Sequence, residues 1–169
     1  MSLITEDGSG NNNSESYASV AEADGYHTKF GNTVWLALEQ ERKEILLRRA
    51  TDYISDTFRF VFMGRKAFST QALEWPRYSS EPGQFGLQAM GVPRGVKEAT
   101  IELALLADAG PLIPTNSIRG TKRVKVGPIE VEYDSNSPSQ NKFVTANLKL
   151  SPWLKAGSMN GHNVRLIRV

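Results

Sequence analysis

The stretch Pro93–Gly110, "PRGVKEATIELALLADAG", decides the fold class. Val96, Ala99, Thr100, Leu103, Leu106 and Ala107 recur at the three- and four-residue spacing of one helix face. Proline suits a first turn and Gly110-Pro111 ends the run, so the stretch predicts an amphipathic helix whose apolar stripe needs other helices to cover it. Upstream, "SVAE" offers Ser19 as a cap and Glu22 as its capping-box partner. Val20, Ala23, Tyr26, His27 and Phe30 then follow at helical spacing, up to Gly31. Thr33 is a candidate cap for a short turn carrying Trp35, Leu36 and Leu38. A longer helix follows, with Ile45, Leu46, Arg49, Tyr53 and Ile54 on one face.

Downstream the period changes. In "TKRVKVGPIEVEYD", Val124 and Val126 alternate with Lys125, and Ile129, Val131 and Tyr133 alternate with Glu130 and Glu132. This predicts a β-hairpin over 121–134 with cross-strand charge pairs. A last helix is expected around "FVTANLKLSPWLKAG", broken or restarted at Pro152. The expected fold is mainly α with a β-hairpin: a small helical bundle over 17–157, a flexible arm over 1–16 and an extended C-terminal arm over 158–169. Val164, Arg165, Leu166, Ile167, Arg168 and Val169 read as an apolar-basic strand. It suits addition to another subunit or packing on the chain's own hairpin.

Composition narrows the function. The 169 residues are 40% hydrophobic and 22% charged, with a net charge of +2, an ordinary globular balance. Cysteine is absent and there are two histidines, His27 and His162, so disulfides, thiol catalysis and a multi-histidine metal site are excluded within one chain. No apolar run reaches membrane-spanning length. No phosphate loop, dinucleotide fingerprint or nucleophile elbow is present, and the carboxylate pairs fall on solvated faces, so neither an enzyme nor a cofactor is expected. Charge is polarised: residues 1–57 carry ten acidic and five basic side chains, and the remainder is net basic. That polarity suits head-to-tail contacts or an acidic partner.

The connection 64–92 is long for a compact domain. Within it "GRKAFSTQALEWPR" holds Arg65, Lys66, Trp75, Pro76 and Arg77, residue types that dominate interfaces. One reading places them against an adjoining subunit; the other has Trp75 filling the chain's own core and Pro76 stopping a helical turn over 70–73 capped by Ser69. "FRFVFMGRKAF" sets Phe58, Phe60, Phe62 and Phe68 among Arg59, Arg65 and Lys66. That is either a stacking platform for single-stranded DNA or the end of a core helix.

The order "SYASVAEADGYH", "VWLAL", "KEILLRRATDYIS", "GRKAFSTQALEWPR", "VPRGVKEATIELALLA" and "VKVGPIEVEYD" resembles, over about residues 16–155, a group of tailed-phage proteins labelled DnaT-like single-stranded-DNA-binding proteins. These are similar in turn to head–tail connector, or first neck adaptor, proteins. The adaptor resemblance implies a helical domain forming a dodecameric ring in the virion neck, between the portal protein and the next neck or tail-completion protein. It also implies a C-terminal arm on the portal and a lumen through which genomic double-stranded DNA slides. Lys122, Arg123 and Lys125 are then the candidates for sparse, weak contacts with that DNA. The alternative implied by the label is a replication protein that binds single-stranded DNA.

Overall fold

A computed structural model describes residues 2–78, 89–113, 123–126, 129–132 and 143–155. The chain is mainly helical. Helices α1 (Val20–Phe30), α2 (Thr33–Leu36) and α3 (Gln40–Phe58) are followed by the two-residue strands β1 (Arg65–Lys66), β2 (Arg77–Tyr78) and β3 (Ala89–Met90). Then come α4 (Arg94–Ala109), the hairpin strands β4 (Arg123–Val126) and β5 (Ile129–Glu132), α5 (Val144–Leu150) and a 3-10 turn over Ser151–Trp153. The short strands form an antiparallel sheet in the order β1-β2-β3.

Helix α4 is the central element, packed along α3 on one side and α5 on the other. Val96, Ala99, Thr100, Leu103 and Ala107 are buried as their spacing predicts, and Ile101 and Ala104 join them. Leu106 is 42% exposed, because two flanking helices rotate the buried arc towards Ile101 and Ala104 and leave it at the edge. Pro93 lies just before the helix rather than inside its first turn, and its carbonyl accepts from the Val96 and Lys97 amides. On α3 the buried face is Leu46, Leu47, Ala50, Ile54 and Phe58, while the expected Ile45 and Arg49 are exposed. Positions 46, 50, 54 and 58 keep a strict four-residue spacing, and their volume outweighs the arc through Ile45 and Arg49.

The capping box of α1 forms: Ser19 accepts from the Glu22 amide, and Glu22 accepts from the Ser19 amide at 2.8 Å. Gly31 closes α1 in the left-handed region at φ 70°, where a side chain would be strained. Asn32, not Thr33, is the cap position of α2, and no side chain bonds there.

His27 is buried between Trp35 (ring centroids 4.8 Å apart) and Tyr26, with its Nδ1 2.9 Å from the Asn32 side-chain Nδ2. Burial holds this imidazole below its ordinary range, against the opposing pull of Glu102 and Asp24. The unfolded chain therefore takes up a proton near pH 6.5 that the folded chain resists. Stability is fully present above that pH and falls as the pH drops below it. A wild-type melting temperature that declines between pH 7 and pH 5, with a shallower decline in His27→Gln, is the expected result; His162 is common to both proteins and cancels. Identical slopes would refute it.

Residues 2–16 are not the flexible arm that Gly, Asn and Ser suggest. The Glu6 carboxylate, fully buried, accepts from the Gly8 amide (2.8 Å), the Gly10 amide (2.9 Å) and the Ser14 hydroxyl (2.9 Å). Thr5 and Ser16 form a parallel bridge, and Arg48 of α3 holds Glu15 at 2.9 Å. Gly10 lies under the Phe68 ring so closely that an added Cβ would collide with it. A single charged acceptor thus organises a segment with little apolar surface to bury.

At the other end, the Met63 amide donates to the Trp153 carbonyl and the Lys155 amide to the Val61 carbonyl, fastening the turn after α5 beside the chain that leaves α3. In the hairpin, Arg123 pairs with Glu132 and Lys125 with Glu130, the register that the alternation predicts.

Candidate interaction surface

The connection after α3 is built inward. Trp75 is 1% exposed, its ring edge-on to Phe62 (5.7 Å) and to Trp153 (5.8 Å), and the bond to the buried Pro76 is cis. Arg77 is 5% exposed. Its Nε donates to the Met63 carbonyl (2.9 Å), Nη2 to the Gly64 carbonyl (2.9 Å), and Nη1 to both the carbonyl (3.2 Å) and the carboxylate (3.1 Å) of Glu74. The guanidinium also lies 5.7 Å from the Phe62 ring centroid. Tyr17 accepts from the Glu74 amide at 3.0 Å, and burial pushes its phenol up to about 12.

The interface expectation is therefore corrected for three residues. Trp75, Pro76 and Arg77 have almost no surface to give a neighbour, because they fill and tie together the chain's own core. The helical turn expected over 70–73 is also absent. Gln71 instead bonds the Phe68 amide and the Leu73 and Pro76 carbonyls, offering the backbone a non-helical arrangement. Arg65 stays exposed with its guanidinium 5.7 Å from the Tyr78 ring, and Lys66 is 3.2 Å from Glu74.

The phenylalanine cluster divides. Phe58 and Phe62 are core, Phe68 covers Gly10, and Phe60 is 82% exposed beside Arg59. Arg123 and Lys125 lie on β4, their side chains outside the described residues. Lys122 and Val164, Arg165, Leu166, Ile167, Arg168 and Val169 also lie outside them.

Two surface properties were missed in the sequence. The first is charge pairing: Arg42 with Asp108, Lys43 with Asp24, Lys97 with Glu22 and Lys149 with Glu98 all lie within 3.0 Å. These are contacts between elements that no local spacing announces. The second is apolar exposure. Phe30 and Val34 at the α1–α2 corner, Val144 and Leu148 one turn apart on α5, and Ile113 after α4 are each more than half exposed. The four-residue spacing of Val144 and Leu148 was the available signal.

A cleft of about 600 Å³ opens between α3 and the turn that follows α4. Tyr53, Leu112 and Ile113 are among its apolar lining, and Arg49, Asp52 and Asp56 stand along its α3 side. Asp52 has no cation within 4 Å among the described residues, and partial desolvation beside the cleft, together with the charge of Asp56, lifts its carboxyl above the ordinary range.

Among the described residues no group of three or more His, Asp or Glu could hold a metal ion, and no helix is long and apolar enough to cross a membrane. No curated protein and no solved structure matches the chain. One family model does match, over residues 1–169, and by that match the chain belongs to the family described as "Putative DnaT-like ssDNA binding protein".

Proposed function

We propose that the protein is a structural connector, not an enzyme. Copies assemble into a ring that joins a portal to the next neck or tail protein and surrounds the passing DNA. The observation that carries this reading is a set of large apolar side chains left exposed among the described residues, on a surface where several cations already hold carboxylates. Arg42, Lys97 and Lys149 each hold a carboxylate within 3.0 Å. Binding phosphate there would first require breaking that pair, which removes the counterion-release gain on which nucleic-acid affinity rests. Phe30, Val34, Val144 and Leu148 instead suit protein contacts, where apolar area leaves water. Arg65 is the member of the expected interface set that keeps an exposed side chain, and it is assigned here to the contact with a neighbouring subunit or neck protein. Lys122, Arg123 and Lys125 are assigned to weak contacts with DNA in the lumen.

A second reading, single-stranded-DNA binding in replication, draws support from the family description and from Phe60 exposed beside Arg59. Anisotropy of a labelled oligo-dT separates the two. The connector reading predicts weak binding at low salt that is lost at physiological salt. Saturable binding that persists there, and is weakened in Phe60→Ala by about 1–3 kcal/mol as expected for one stacked base, would establish the replication reading instead.

A further inference from the structure

The cleft between α3 and the turn after α4 has the chemistry to hold a segment of another copy, an inference that rests on the ring proposed above. Asp52 and Asp56 stand one helical turn apart on its rim. Like charges at that spacing destabilise a helix unless a cation joins them. Arg42 is no such cation, being held by Asp108 at 2.8 Å, and Asp56 has Arg59 at 2.8 Å on its outer side. Among the described residues Asp52 is left without one. The apolar lining of the cleft includes Tyr53, Leu112 and the largely exposed Ile113. Arg49, which forms no ion pair among the described residues, can donate to the carbonyls of a guest segment.

The required guest is a short segment that sets two arginines among aliphatic side chains. The chain carries one: "VRLIRV", Val164–Val169, with Arg165 and Arg168 among Val164, Leu166, Ile167 and Val169. The geometry points to residues 164–169 of one copy lying in the cleft of the next, with their arginines on Asp52 and Asp56 and their aliphatic side chains on Tyr53 and Ile113. The surplus of acid in the first third of the chain and of base in the rest gives such a contact its head-to-tail direction. It also repeats from copy to copy, as a closed ring requires.

Charge exchange in the full chain tests this. Two variants are made, Asp52→Arg with Asp56→Arg and Arg165→Asp with Arg168→Asp; the aspartates are exposed, so unchanged circular-dichroism melts are expected. In sedimentation velocity each variant should need at least tenfold more protein than the wild type to associate. An equimolar mixture should regain association, since each intact tail meets an intact cleft and each reversed tail meets a reversed cleft of opposite charge. A labelled peptide of residues 158–169 should bind the tail-reversed chain and lose at least tenfold in affinity when the cleft is reversed as well. A peptide indifferent to the cleft charges overturns the inference. So does a wild type that stays monomeric while the peptide binds, because the tail would then occupy its own cleft. A wild type that binds portal rings while the peptide ignores the cleft removes this contact alone and leaves the connector reading standing.

Discussion

Trp75→Ala is expected to cost about 3–5 kcal/mol of folding stability, the range for emptying a buried indole site. For a chain of this length that lowers the melting temperature by roughly 10–15 °C. The site cannot collapse easily, because Phe62 and Trp153 meet the indole from two sides and each is fixed in turn by backbone bonds between 61–63 and 153–155. Trp75→Phe should cost much less. It keeps an aromatic ring between the same partners, and the indole N–H that it removes has no hydrogen-bond partner among the described residues. Thermal melts of both variants check this. A Trp75→Ala protein that melts like wild type and fails only in assembly would refute the core assignment and restore the interface reading.

Arg77→Leu should be comparably severe. The guanidinium satisfies the carbonyls of Met63, Gly64 and Glu74 and neutralises the nearly buried Glu74 carboxylate. Removing it leaves those acceptors unpaired and one buried charge dependent on Lys66, a loss of about 3–5 kcal/mol. Arg77→Lys should recover only part, since one ammonium cannot direct donors at three carbonyls and a carboxylate together. Adding Glu74→Gln to Arg77→Leu should restore some stability by removing the stranded charge. Urea titration of the three proteins measures this, and an Arg77→Leu midpoint equal to wild type would contradict it.

Both expectations concern a segment whose composition was legible and whose role was not. A buried Trp-Pro-Arg and an interfacial one consist of the same residue types; which applies depends on whether Phe62 and Trp153 arrive from distant parts of the chain. Local rules performed well where the interaction is local. The Ser19–Glu22 box, the left-handed Gly31, the stripe of α4 and the charge register of the hairpin each follow from spacings of a few residues. The phase of α3 was misjudged because Ile45 and Arg49 satisfy helical spacing as well as Leu46 and Ala50 do; only the packing of α4 selects between the two arcs. The N-terminal segment was misread because composition measures apolar surface, whereas Glu6 holds it through three hydrogen bonds. The candidate surface was the least legible part. Its matched charges join residues as far apart as Glu22 and Lys97, and its cleft forms only where the turn after α4 comes to lie beside α3.

The connector proposal meets its most direct test in co-sedimentation of the full-length chain with portal rings from the genome that encodes it, at physiological salt. The account predicts saturable binding that approaches one copy per portal subunit and is unaffected by added oligo-dT. Absence from the portal pellet, together with salt-resistant binding of the oligonucleotide, would contradict it.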